Sequence, residues 1–264
     1  MDNGPEERAD KRPSKQERHR RIIAELQSNP TVRISTLAEE FQVSTETVRR
    51  DIDELSGRGL VSRTYGGAAA TSMSREPALH ERDDTMIAER ERIARLAASM
   101  IEPDAVLMVD SGSTTAHFAR RLAVLGTATT VITNGVGVAT ALGHCEAARV
   151  ILCPGTYVGR EHGVYGGEVT DFLGRYHANH AVISAGGLTT EGITDVDTQA
   201  AWVKRRMVER AERRILLIDH GKFDVRLLEV ICGLTQLDEM VTDAEPPAAI
   251  RQALKGAGVT LHVA

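Results

Sequence analysis

Six short runs rich in aliphatic and β-branched residues punctuate the chain between positions 105 and 242: Ala105-Val-Leu-Met-Val109, Thr129-Thr-Val-Ile-Thr133, Arg149-Val-Ile-Leu-Cys153, Ala181-Val-Ile-Ser-Ala185, Arg214-Ile-Leu-Leu-Ile218 and Glu239-Met-Val-Thr242. Amphipathic helical patterns separate most of them. Parallel strands need long crossovers, usually helical, so this alternation predicts a mainly parallel sheet with helices on both faces. In such a sheet the carboxyl ends of the strands share one edge, and ligands bind there. A further helix is expected around Met86 to Ile101, ahead of the first strand.

The loop after nearly every strand is small and polar: Asp110-Ser-Gly-Ser-Thr-Thr115, Thr133-Asn-Gly135, Pro154-Gly155, Ala185-Gly-Gly187 and Asp219-His-Gly-Lys222. Gly112 permits close backbone approach, and Ser111, Ser113, Thr114 and Thr115 offer hydroxyls and amides. The helix beginning there would present its positive end, so an anion such as a phosphate fits. Lys222 is the natural counter-charge, and Asp110, Asn134, Asp195 and Asp197 are candidates to bond sugar or polyol hydroxyls. The candidate effector-binding set is Asp110, Ser111, Gly112, Ser113, Thr114, Thr115, Thr133, Asn134, Gly135, Gly155, Gly186, Gly187, Asp195 and Lys222. Trp202 is expected to pack on the core, and Lys204, Arg205 and Arg206 to form a solvated face, with the alternative that one of them reaches the pocket.

The first 70 residues have a different pattern. Ile22, Ile23 and Leu26 share one helical face in a segment that stops before Pro30. A second helix is expected from Ser35, with Thr36 and Glu39 as a capping box and Leu37, Ala38 and Phe41 buried. After a tight Gln42-Val-Ser44 turn, Ser44 is suited to cap a third helix whose Val48, Ile52 and Leu55 fall at i, i+4 and i+7. Gly57 and Gly59 end it, and Leu60-Val-Ser-Arg-Thr-Tyr-Gly-Gly67 reads as a hairpin arm. Three helices plus a basic hairpin describe a winged helix-turn-helix.

A recognition helix puts its N-terminal residues in the major groove. Ser44, Thr45 and Thr47 supply hydroxyls at that end, Arg49 and Arg50 clamp phosphate or guanine, and Arg63 and Tyr65 sit where a wing meets the backbone. Ser35 and Glu46 complete the candidate DNA-binding set, and Arg18, Arg20 and Arg21 are further expected phosphate contacts. The net charge of −5 means that basic character has to be local rather than global. Cys145, Cys153 and Cys232 show no metal-ligand or disulfide spacing, so buried thiols in a reducing compartment are expected and no metal or cofactor is implied. No run of apolar residues suits a membrane span or a signal peptide, which points to a cytoplasmic, soluble chain.

The stretch from Arg18 to Ala69, above all Val43-Ser-Thr-Glu-Thr-Val-Arg-Arg-Asp-Ile52, resembles the N-terminal domain of the DeoR family of bacterial transcriptional regulators. Tyr65 stands where members commonly carry His. The part from about residue 86 onward is similar to that family's effector domain in its DSGSTT, TNG and D-H-x-K-F elements, with Gly221 in place of Ser and Gly186 in place of Asp. The resemblance implies an effector domain related to sugar-phosphate isomerases and CoA transferases, and a phosphorylated sugar or polyol as effector. The expected organisation is a disordered tail over 1–14, a winged helix-turn-helix over 15–70, a linker over 71–85 and an effector-binding and oligomerisation domain over 86–264. The function expected is a repressor of a carbohydrate or polyol catabolic operon, acting on double-stranded operator DNA as a homodimer or homotetramer. The alternatives are an activator, or an isomerase using the same pocket. Ser184-Ala-Gly-Gly187 has no carboxylate where, as the resemblance implies, related isomerases place acidic residues, and no phosphate-binding glycine motif of a kinase comes after any strand.

Overall fold

The computed structural model describes residues 13–28, 31–57, 61–64, 66–70 and 86–264. Tyr65, the expected linker and all of the expected tail before Pro13 lie outside the described residues. The chain divides into two compact units, one ending at Ser72 and the other running from Met73 to Ala264.

The first unit contains, in order, α1 (Lys15–Ser28), β1 (Thr31–Arg33), α2 (Ile34–Glu40), α3 (Thr45–Gly57), β2 (Val61–Thr64) and β3 (Gly67–Ala70). Ile22, Leu26, Leu37, Phe41, Val48, Ile52 and Leu55 form its core, as the helical spacing predicts. The hairpin is extended by β1, giving an antiparallel sheet in the order β1-β3-β2. Three residues are too few for an alternating pattern to announce β1. The capping box at Thr36 and Glu39 does not form: α2 begins at Ile34, whose side chain is buried, and its N-cap residue Arg33 makes no side-chain cap bond. Ser44 does cap α3, its Oγ accepting from the Thr47 amide at 3.1 Å.

The second unit is built on a seven-stranded parallel sheet in the order β15-β14-β12-β9-β4-β5-β6. Its strands are β4 (Ala105–Val109), β5 (Thr129–Thr133), β6 (Ala148–Leu152), β9 (Ala178–Ser184), β12 (Ala211–Ile218), β14 (Glu239–Thr242) and β15 (Thr260–Val263). Successive residues of a strand face opposite sides, and the sheet separates two cores accordingly. Met108, Ile132, Ile183, Leu216 and Met240 pack with α7 (Gly167–Leu173), α8 (Thr198–Arg210) and α9 (Ala248–Ala257). Leu107, Val131, Val182, Ile215 and Val241 pack with α4 (Ile87–Ser99), α5 (Ser113–Leu125) and α6 (Val136–Leu142).

Two smaller elements lie outside the main sheet. A hairpin joins β7 (Thr156–Val158) to β8 (Gly163–Tyr165), and β10 (Gly187–Thr189), β11 (Gly192–Asp195) and β13 (Glu229–Gly233) form an antiparallel sheet with β13 at its edge. Arg205 of α8 reaches β13, donating to the Ile231 carbonyl at 3.2 Å, to the Val230 carbonyl and to the Glu229 carboxylate. The buried stripe of α8 runs through Ala200, Ala201, Val203, Lys204, Met207 and Val208. That stripe excludes Trp202, which is 56% exposed rather than core-packed, and it includes Lys204, which is buried rather than solvated.

Candidate functional site

On the first unit the outward face of α3 carries Thr45, Glu46, Arg49, Arg50 and Asp53, all exposed, with Thr47 half-buried beside the capping Ser44. Glu46 holds both arginines, Arg49 at 2.8 Å and Arg50 at 3.4 Å, and Arg63 of β2 pairs with Asp53 at 2.9 Å. Exposed pairs of this kind are weak, so these guanidiniums exchange partners readily. Ser35 is exposed on α2. Arg18 differs from the expectation of a phosphate contact: its guanidinium meets Asp51 through Nε at 2.6 Å and Nη2 at 3.1 Å, and His19 shares that carboxylate at 3.3 Å. Asp51, on the inner side of α3, thereby ties α1 to α3. Arg20 and Arg21 are exposed and pair with Glu17.

On the second unit, β5 and β6 lie to one side of β4, while β9, β12, β14 and β15 lie to the other. The winding reverses between β4 and β9, and a crevice opens at such a switch point. It is lined by Ser113 and Thr114 at the start of α5, Ser184 and Ala185 at the end of β9, Leu217 to Asp219 at the end of β12, Lys222, and Arg90 from α4. The N-cap residue of α5, Gly112, provides no side-chain cap bond. The first amides of the helix are therefore left to other acceptors. A methyl group on Gly112 would stand 2.4 Å from the Ser184 hydroxyl, so a larger residue here would turn that hydroxyl from its present position.

Beneath the cleft lies a buried ion triad. Lys204 Nζ donates to Asp195 Oδ2 at 2.5 Å and stands 3.4 Å from Asp110 Oδ2. The same Asp110 oxygen accepts from the Ser184 amide and hydroxyl at 3.2 and 3.0 Å. Burial opposes the charge on Lys204, but Asp195 and Asp110 outweigh it and hold the ammonium above its ordinary value. Burial raises the Asp110 carboxyl, with Lys204 and Ser184 opposing. Its Oδ1 is buried and has no hydrogen-bond partner among the described residues.

Several of the predicted effector residues shape the loops instead of facing the cleft. Thr115 Oγ1 donates to the Asp110 and Gly112 carbonyls, and Thr133 Oγ1 donates to the Val109 carbonyl while accepting from the Gly135 amide. Asn134 accepts from the Ser111 amide and donates to Ser111 Oγ and the Val164 carbonyl. Ser111 Oγ and the Tyr165 hydroxyl are 2.7 Å apart, which fastens the β7–β8 hairpin to the same loop. Gly155 is exposed between the edge strand β6 and β7, away from the cleft. Gly186 donates to the Thr194 carbonyl, and Gly187 sits where a Cβ would meet the Val225 carbonyl at 2.2 Å, so both serve the β10–β11 hairpin. Asp197 caps α8 by accepting from Ala200.

The cleft thus brings Ser113, Thr114 and Lys222 together and places Gly112 and Asp110 behind them, as the loop sequences predict. It also contains Arg90 and Ser184, and Lys204 beneath, which the loop sequences do not reveal. Arg90 is only 2% exposed yet lies in Ile87-Ala-Glu-Arg-Glu-Arg-Ile93, where a charged repeat resembles any solvated helix face.

Two family models match the chain: a DeoR-like helix-turn-helix domain over residues 18–74 and a DeoR C terminal sensor domain over 85–244. The chain is 31% identical over 248 residues to the glycerol-3-phosphate regulon repressor of Escherichia coli strain K12, covering 94% of this chain and 98% of that one. It is 32% identical over 234 residues to the HTH-type transcriptional repressor GlcR of Bacillus subtilis strain 168, covering 88% and 89%. Among solved structures, ribose 5-phosphate isomerase A of Methanocaldococcus jannaschii aligns with a TM-score of 0.39 at 14% identity, over 53% of this chain and 55% of that one.

Proposed function

The chain belongs to the DeoR family of transcriptional regulators, and on that premise we propose that it is a DNA-binding repressor of a carbohydrate or polyol catabolic operon, relieved by a phosphorylated sugar or polyol. The observation that carries this reading is the coexistence of an α3 face of loosely paired arginines with a cleft where two cations and an uncapped helix start converge. Arg49, Arg50 and the hydroxyls of Ser44, Thr45 and Thr47 suit the major groove, and Arg63 suits the flanking backbone. Ser113, Thr114, Arg90 and Lys222 suit a phosphate. The relative named for the glycerol-3-phosphate regulon supports that effector class.

The pocket binds without turnover in this reading. An isomerase needs a carboxylate base within reach of the substrate. The Ser184 to Gly187 loop has none, Asp195 is locked to Lys204, Glu191 is exposed and paired with Arg226 at 2.7 Å, and the two carboxylates nearest the cleft are already engaged, Asp110 by Ser184 and Asp219 by the Gly221 amide. One short helix reads only a half-site, so two copies act together on an operator, and the setting is the bacterial cytoplasm. Effector occupancy shifts the population towards a form with weaker operator affinity.

The test is a band shift on the DNA upstream of the regulator's own operon. Wild-type protein retards it and releases it on addition of a sugar phosphate. The double variant Arg49→Ala, Arg50→Ala loses specific retardation by roughly tenfold or more while melting at the same temperature. Retardation unchanged by that variant overturns the DNA-reading assignment, and steady conversion of sugar phosphates by the wild type overturns the non-catalytic one.

A further inference from the structure

We propose that the outer stripe of α8 and the adjoining border of β13 form the face on which this chain pairs with a second copy of itself, with Trp202 as the anchor. The proposal rests on the reading of the chain as a regulator whose copies act in pairs. Trp202 is the chain's only tryptophan, and it stays exposed on a helix that buries its other apolar residues. Leu228 and Val230, on the β13 border, are exposed to the same degree. Among the large apolar side chains of the described residues, only Val124 is more exposed than these three. Arg205 joins the two groups. It lies one turn after Trp202 on the same side of the helix, and its guanidinium reaches the Val230 carbonyl and the Glu229 carboxylate. Trp202 therefore sits within about one or two helical turns of the β13 border.

The chemistry of this surface selects what covers it. A peptide that adds to an edge strand binds through main-chain hydrogen bonds, and Arg205 already occupies the Val230 and Ile231 carbonyls. The occupant therefore meets side chains more than backbone, as a folded partner does. Tryptophan and arginine are the residues that anchor protein–protein contacts. The outer stripe of α8 carries Trp202, Arg206 and Glu209 at i, i+4 and i+7, with the last two paired at 2.9 Å. Both charge signs thus lie beside the apolar anchor. A copy turned about a two-fold axis brings an acid and a base to the same stripe, whereas a partner of one sign meets repulsion as well as attraction. Half-site reading calls for such a two-fold pair.

The experiment is sedimentation velocity on the full chain, with acrylamide quenching of tryptophan emission in the same samples. Trp202 is the sole reporter, so the emission reads this surface alone. The wild type is expected to sediment as a dimer or larger with Trp202 shielded, and quenching is expected to rise as dilution separates the copies. Val230→Lys keeps the reporter and puts a lysine at an exposed edge position, where one is well tolerated. It is expected to weaken self-association by roughly thirtyfold or more, the scale of an interface hot spot, and to bring quenching in concentrated protein up to the level of dilute wild type. Tyr157→Ser, at a comparably exposed aromatic on β7, is expected to change neither reading. A folded Val230→Lys protein that associates like wild type overturns the proposal, as does an equal loss in Tyr157→Ser. A wild-type oligomer whose Trp202 is quenched as freely as in dilute protein also overturns it, while leaving paired copies in place through another face. A wild type that is monomeric at every concentration overturns the pairing itself, and this face with it.

Discussion

The two units handle the same chemistry, basic side chains facing carboxylates, in opposite ways. On α3, Arg49 and Arg50 share Glu46 at the surface, where water screens the attraction and either arginine moves at little expense. In the sensor unit, Lys204 sits between Asp110 and Asp195 with all three side chains below 10% exposure. A surface meant to meet a long, repetitive polyanion benefits from cations that reorient. A pocket that takes one small molecule, as proposed for the cleft, benefits from charges fixed before it arrives. Arg18 with Asp51 stands between these extremes: it lies in the small unit, yet it is sequestered and braces the recognition helix from behind.

The contrast is open to attack by substitution. Lys204→Met leaves two interior carboxylates facing each other, and a loss of about 3–5 kcal/mol is expected in denaturant unfolding of the sensor unit; a loss below ~1 kcal/mol makes the triad no different from a surface pair. Asp51→Asn removes the carboxylate from Arg18 and His19, with an expected loss of about 1.5–3 kcal/mol in the unfolding of the small unit. Glu46→Gln releases both arginines of α3 and is expected to change stability by less than about 0.5 kcal/mol in the same measurement. An effect as large as that of Asp51→Asn makes Glu46 a structural element and ends the comparison.

Much of this arrangement is legible in the sequence, and the unread remainder has physical causes. Apolar runs and period-3.6 patterns register burial along one element, so the core of α3 and six of the seven main strands are readable, while β15, Thr260-Leu-His-Val263, is missed. Reading the loops after each strand brings Ser113, Thr114 and Lys222 to one cleft, because the strand ends of a parallel sheet share an edge. Pairing across the fold leaves no such mark. Lys204 looks solvated because Lys-Arg-Arg reads as surface, and the two aspartates that hold it lie 94 and 9 residues before it. Arg90 is hidden for the same reason. Asn134, Thr115 and Thr133 bond the protein's own backbone, and a sequence does not say whether such a group faces a ligand or a neighbouring carbonyl.

Arg205 bears on how the chain behaves in a crowded solution. The edge strand β13 exposes Val230, and Leu228 precedes it, an apolar border of the sort that recruits foreign strands. With its guanidinium already fastened to the Val230 and Ile231 carbonyls, the border has two fewer acceptors to offer an arriving backbone. On the β13 side of the small sheet, one arginine thus covers part of the row that a further strand would pair with.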